Sequence, residues 1–298
     1  MSKEYQNYKI DLNSWVQKAK SDPVKYRLRQ AMEILLTAVG MARNLRSNMY
    51  LKGGTLMAIA YHSERMTGDV DYSWLEPFTL DVDKEICESL DAALLQASVR
   101  LGYIDLICKI QSIKKEPKRW ESDALSFPAL RITIGCAKKG TPQAKALTEN
   151  QSISEVLRVD ISFNEILNEA QELALNDTDI SVKSYTPVEI IAEKLRAILQ
   201  QTQRKHERSR RQDIYDINLL IKQFDFDDEE KKDILRTLKV KADSRNVVIL
   251  KESLSDSSVK AAAHKEWSTM QLELEEALPD FEECYAGVQK FYESLPWQ

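Results

Sequence analysis

Two short stretches of the chain carry residues that could do chemistry together. The first is Lys52-Gly53-Gly54-Thr55; the second, fifteen residues after Gly54, is Asp69-Val70-Asp71. Only eight glycines occur in 298 residues, so two side by side mark a place where the backbone must turn sharply or approach a ligand closely. A helix starting at Thr55 and continuing through Leu56, Met57, Ile59 and Ala60 would present free N–H groups to an anion. On a strand, Asp69 and Asp71 point the same way because side chains alternate with period two. Adjacent carboxylates repel unless a cation lies between them, and Mg²⁺ suits such oxygen donors. Phosphate cradle and metal-binding pair together are the equipment of nucleotidyl transfer. Each has a plainer reading, a simple turn and a solvated pair. Asp81-Val82-Asp83 is a second Asp-x-Asp that reads as a helix start.

Several elements must position these groups. Residues 11–47 read as helical, interrupted at Pro23, with Leu28, Ala31, Met32, Leu35, Leu36 and Val39 at helical spacing. A second helix is predicted over 81–101. Strands are predicted over 104–113, 129–136 and 153–163, with 137–152 a polar loop. In the last strand Leu157, Val159 and Ile161 share one face and Asp160 takes the other. Asp160 reads either as an outward carboxylate on a half-buried strand or as a member of the site.

Ser184-Tyr185-Thr186-Pro187 opens a strongly amphipathic helix, with Thr186 as its cap and Pro187 in its first turn. Glu189, Glu193, Arg196 and Gln200 gather on one polar arc. Lys194 is the one charge on the apolar side, between Ile190 and Ile198. A buried ammonium is costly without an anion, so it needs a partner. In the next helix Asp213 projects between Ile217 and Leu220. Two readings stay open: Asp213 is structural, through the helix dipole or an ion pair with Lys194, or both groups face a nucleotide.

Lys-Gly-Gly-Thr, then Arg65-Met66-Thr67-Gly68-Asp69-Val70-Asp71, then Ala192-Glu193-Lys194-Leu195-Arg196-Ala197 and Arg211-Gln212-Asp213-Ile214-Tyr215-Asp216, resemble in order the motifs of the AbiEii/AbiGii toxins, MenT-type toxins included. That group is a branch of the polymerase-β-like nucleotidyltransferases, and the resemblance spans roughly residues 30–225. It implies an α/β (α+β) nucleotidyltransferase core with a mixed sheet, plus N-terminal helices and a helical C-terminal domain. It also implies a third carboxylate from a later strand beside the Asp-x-Asp strand. Asp160 is the best-placed candidate, ahead of Asp105 and Glu155. The implied metal ligands are Asp69, Asp71 and Asp160, holding two Mg²⁺ ions. Lys52, Gly53, Gly54, Thr55, Arg65, Thr67 and Lys194 would bind the NTP, and Asp213 would be required for activity. One departure is that Gln212 stands where an arginine is usual, with Arg208, Arg210 and Arg211 nearby. The implied activity is transfer of a nucleotide to an acceptor hydroxyl, the tRNA 3′ end, by a toxin held in check by an antitoxin. Transfer to a protein hydroxyl, or a degenerate domain that only binds nucleotide or partner, are the alternatives.

Composition agrees with a folded chain: 43% hydrophobic residues suffice for a core and 30% are charged. The longest uncharged apolar run, 34–42, is too short to span a bilayer. The polar opening Met1–Asn7 has no signal-peptide pattern, so a cytoplasmic protein is expected. Cys87, Cys108, Cys136 and Cys284, and His62, His206 and His264, show no metal spacing. A net charge of −5 argues against a surface that coats nucleic acid everywhere, but local basic runs remain at 114–120 and 204–211. Three segments follow: residues 1–48 as N-terminal helices, 49–185 as the nucleotidyltransferase core and 186–298 as a helical domain carrying the distal lysine and aspartate.

Overall fold

Local sequence signals set several helix starts. Asp22 accepts hydrogen bonds from the N–H groups of Val24 and Lys25, with Pro23 in the first turn; Thr186 caps Glu189 in the same way. Asp227 and Glu230 form a reciprocal capping box. The computed structural model describes residues 8–122, 125–203 and 209–297. Within them the order is β1 (Tyr8–Ile10), α1 (Leu12–Gln17), α2 (Pro23–Met41), α3 (Arg43–Asn48), β2 (Met49–Lys52), α4 (Gly53–Ala60), β3 (Asp69–Trp74), α5 (Val82–Arg100), β4 (Leu106–Glu116), β5 (Ala129–Lys138), α6 (Pro142–Thr148) and β6 (Val156–Ser162). Then come β7 (Ala170–Leu175), β8 (Ser181–Tyr185), α7 (Pro187–Gln200), α8 (Arg211–Gln223), α9 (Asp228–Ser244), α10 (Ser257–His264) and α11 (Phe281–Glu293).

The chain divides into two units. The first comprises Met1–Ala60, Thr67–Glu165 and Ala170–Ser184; the second comprises Tyr61–Met66, Ile166–Glu169 and Tyr185–Gln298. The eight strands form one mixed sheet in the order β1-β7-β8-β2-β3-β6-β5-β4. β3 runs antiparallel to β2 and parallel to β6, while β5 runs antiparallel to both β4 and β6. Leu157, Val159 and Ile161 of β6, and Leu130, Ile132 and Ile134 of β5, are buried, as the period-two alternation predicts. α2 and α5 pack on each other, α2 on β6 and α5 on β4. This is the α/β core with a mixed sheet that the sequence led us to expect.

The structure departs from several sequence-based expectations. The polar stretch 137–152 contains α6: Thr141 caps it, Pro142 opens it, and Ala144 and Leu147 pack with Ala137 beside Ile107 and Ile153. Strands β1, β7 and β8 were not foreseen. The turn after β7 uses Asn176 and Asp177 at φ 51° and 55°, a conformation their short polar side chains tolerate. Within the stretch 186–298 expected to be helical, α10 ends at His264. Glu266 at φ 61° breaks it, and a 3₁₀ turn (Trp267–Glu273) follows, with the Trp267 indole donating to the Pro279 carbonyl at 3.0 Å.

In the second unit α7 packs against α8 and α9. Its polar arc is not a solvated face. Glu189 is fully buried, accepting from the N–H groups of Asn168 and Glu169 at 2.6 and 3.0 Å, and lies 3.0 Å from the Lys241 ammonium. That network ties the short segment Ile166–Glu169 into the unit. Among the described residues no helix is long and apolar enough to cross a membrane.

Close packing of α2 yields a test. A Cβ on Gly40 would lie 2.4 Å from Ile180 Cγ2 and 2.8 Å from the Ser181 carbonyl oxygen. Gly40→Ala should therefore lower the unfolding free energy by about 1–3 kcal/mol, the usual cost of overpacking, despite alanine's better helix propensity. Urea titration of the variant against wild type measures this; equal midpoints would refute the packing.

Candidate active site

The first unit presents the glycine pair and the carboxylates. β2 ends at Lys52 and α4 begins at once on Gly53, whose φ of +71° lets the strand turn directly into the helix. A side chain there has a second obstacle: its Cβ would lie 2.1 Å from Asp71 Oδ2. Gly53 is thus the residue that lets Asp71 sit against the turn. Thr55 is buried, and its hydroxyl donates to the Asp69 carbonyl at 2.8 Å; the Thr67 hydroxyl donates to the same oxygen at 3.1 Å. The two threonines fix where β3 begins. Lys52 is buried as well.

Strand register places the charges. Lys52 pairs with Asp71, Asp71 with Asp160, Asp160 with Arg131 and Arg131 with Lys114, giving one row across five strands. Directly paired residues share a face of the sheet. Asp69 pairs with Arg158 one step along, with Arg158 Nη1 3.8 Å from Asp69 Oδ1. Asp69 Oδ1 is itself buried without a hydrogen-bond partner. Asp160 is held differently. Its Oδ1 accepts from Arg131 Nε at 2.6 Å and its Oδ2 from Arg131 Nη2 at 3.0 Å, a two-point fork. The Asp160 carboxylate raises the Arg131 guanidinium further above its ordinary pKa. Asp105, by contrast, lies 3.7 Å from Lys138 and Glu155 pairs with Arg27.

The second unit holds Lys194, Asp213 and Arg65. Lys194 Nζ lies 2.8 Å from Asp213 Oδ1 and 2.8 Å from Asp216 Oδ2, and its side chain is 12% exposed. The ion pair left open as one reading of the sequence is therefore present, with Asp216 as a second partner. Asp216 is 0% exposed and also accepts from Arg65 Nη2 at 3.3 Å. Burial alone would depress the lysine's pKa, but the two carboxylates raise it above its ordinary value. Burial likewise works against the charged Asp216, yet Arg65 and Lys194 hold it below the usual carboxylate value.

Sequence reasoning alone does not single out Asp216. Its position three residues after Asp213, on the same helix face, was the available signal. Gln212 donates to Glu273 Oε2 at 2.7 Å and Arg211 Nη2 to Glu273 Oε1 at 3.1 Å, so that carboxylate serves both. Arg210 Nη1 lies 3.4 Å from Asp213 Oδ2. Arg208, with the rest of 204–208, lies outside the described residues. In the other basic run, Lys115 is tied to Asp83 at 2.8 Å and stacks over Trp120.

Two measurements follow from the buried cluster. Lys194→Met strands two carboxylates, so it should cost about 3–5 kcal/mol of stability in the ligand-free protein. Adding Asp213→Asn should recover part of that loss; calorimetric melts check both statements. The second concerns pH. Because the folded state holds Asp216 below its ordinary value of 3.8, its contribution is present above 3.8 and is lost as pH falls through the lower folded value. Acid titration of unfolding free energy should show this slope, and Asp216→Asn should flatten it.

Comparison with known proteins bears on what this arrangement belongs to. No curated protein sequence matches the chain. Among solved structures, JHP933 from Helicobacter pylori matches with a TM-score of 0.50 at 16% identity, covering 92% of each chain, which is a likeness of fold. The toxin MenT4 from Mycobacterium tuberculosis matches with a TM-score of 0.49 at 15% identity, covering 95% of this chain and 98% of that one. The family described as "Nucleotidyl transferase AbiEii toxin, Type IV TA system" matches residues 34–287. The chain is a member of the AbiEii nucleotidyltransferase toxin family.

Proposed function

We propose that the chain transfers a nucleotide from an Mg-NTP to a hydroxyl of an RNA acceptor, the tRNA 3′ end being the one the family resemblance implies. A cognate antitoxin protein would restrain it. The observation that carries the reading is the carboxylate pair, Asp71 seated against Gly53 and Asp69 offering a buried oxygen that accepts no hydrogen bond. Hard anionic oxygens on one strand face suit Mg²⁺, which keeps several water or phosphate ligands beside one or two carboxylates. Asp69 and Asp71 would hold the ion; among the described residues no group of three His, Cys, Asp or Glu is arranged to hold a metal. Each Asp160 oxygen accepts one hydrogen bond from Arg131, so a third-ligand role would share that carboxylate with the guanidinium.

When bound, Mg²⁺ supplies charge neutralisation to the phosphates. The residues of the chain do the positioning. Thr55 and Thr67 anchor Asp69 through its carbonyl, and Gly53 admits Asp71. The NTP-binding task implied for Lys52, Gly54, Arg65 and Lys194 belongs to the same proposal, as does the need for Asp213. Orientation of the acceptor hydroxyl and the α-phosphate then carries much of the rate.

Incubating the protein with each labelled NTP and a total tRNA and protein extract should label the RNA fraction. Asp71→Asn and Asp69→Asn should each reduce labelling about a hundredfold or more, equivalent to several kcal/mol of lost charge stabilisation. Neither should lower the melting temperature, because each relieves a repulsion. Label in protein would overturn the RNA acceptor. Undiminished transfer in both variants would overturn the metal pair.

A further inference from the structure

The row of charges that starts at Lys52 and Asp71 does not stop at the carboxylates. It continues through Asp160 to Arg131 and Lys114, on strands β6, β5 and β4. Paired strands are spaced about 4.8 Å apart, so Arg131 stands two strands, about 10 Å, from Asp71 on the same face. The Arg131 side chain is 41% exposed, Lys114 59% and Arg158, on the same face beside Asp69, 60%. These are three cations on an open sheet face. The carboxylates among them are Asp160, Asp69, 3.8 Å from Arg158 Nη1, and Glu116, 3.9 Å from Arg131 Nη1 and 3.5 Å from Lys114 Nζ.

The fork between Arg131 and Asp160 sets the orientation of that face. It consumes Nε and one N–H of Nη2, which are the donors nearest the strand, and it fixes the plane of the guanidinium. Nη1 lies 3.9 Å from Glu116 Oε1, beyond hydrogen-bond distance of it. A long, flexible side chain becomes a pre-set donor, which lowers the ordering cost of binding an anion.

We propose that Arg131 is a phosphate-binding residue of this site and that Asp160 is its positioning residue rather than a metal ligand. The chemistry recognised is a phosphate group about two strand spacings from the carboxylate pair. It belongs either to the polyphosphate tail of the NTP or to the backbone of the RNA acceptor. A guanidinium presented in a fixed plane suits a phosphate's pair of oxygens, which a lysine ammonium does not reproduce. This inference rests on the proposed nucleotidyl-transfer site, and it adds the direction in which phosphates extend from that site.

The experiment uses the full chain in five forms: wild type, Arg131→Gln, Arg131→Lys, Asp160→Asn and the double Arg131→Gln/Asp160→Asn. Three ligands are titrated directly: Mg²⁺ alone, tripolyphosphate with Mg²⁺, and a short fluorescein-labelled RNA. Arg131→Gln and Asp160→Asn should each weaken one of the two phosphate ligands about tenfold, and the double should be no weaker than Arg131→Gln, because the two residues act as one unit. Arg131→Lys should recover less than half of the loss, and Mg²⁺ affinity should change less than twofold in Asp160→Asn. Loss confined to tripolyphosphate assigns Arg131 to the NTP tail; loss confined to RNA assigns it to the acceptor. Both support the proposal. A tenfold loss of Mg²⁺ affinity in Asp160→Asn, with both phosphate ligands unaffected by Arg131→Gln, overturns it, as does no change in any variant. Asp71→Asn, assayed for transfer in parallel, separates this outcome from failure of the catalytic reading itself.

Discussion

Asp71 occupies the space where any residue except glycine at position 53 would put its Cβ, and most of the first unit's site depends on that exclusion. Because β2 turns into α4 without a linker, the strand end, the helix start and the carboxylate share one small volume. The register of β2 on β3 cannot slip by one residue without facing Asp71 into the buried side of the sheet. The same constraint passes on to β6 and β5, whose pairing lines up Asp160 and Arg131. One steric fact therefore fixes a row of five charged residues.

The second unit solves a different problem, that of keeping an ammonium out of water. Lys194 lies on α7 between Ile190 and Ile198, both buried, and is itself 12% exposed, so its charge must be matched locally. Two aspartates match it, and Arg65 balances the second of them. Arg65 is reached from a six-residue segment far upstream, which explains why Tyr61–Met66 belongs to this unit.

How much of this could be read from residues alone depended on whether the signal was local. The lone lysine on the apolar side of α7 and the aspartate on α8 were visible because helical periodicity places them. So was the same-face geometry of Asp69 and Asp71. Glu189 was legible only as part of a polar arc, since its partners Lys241 and the segment 166–169 are brought together only by the fold. Asp160 had a legible face, but its engagement with Arg131 required knowing that β5 pairs with β6. Gln212, a departure from the expected arginine, finds its acceptor in Glu273, 61 residues away, and no pattern announces a pairing of that span. Helix α6 hid behind a polar composition, although its Thr-Pro start was a readable cap.

The patchwork make-up of the second unit has a bearing on how the protein is born. A ribosome releases Arg65 long before Asp216, which lies 151 positions later in the sequence. Glu273, whose backbone carbonyl accepts from the Met66 N–H at 2.7 Å, emerges later still. The cluster around Lys194 cannot be completed until Asp216 has been synthesised, and contacts of such long span are slow to form. Nascent chains of this toxin thus complete the cluster late, and an emerging fragment carries Asp69 and Asp71 of β3 well before the lysine cluster exists.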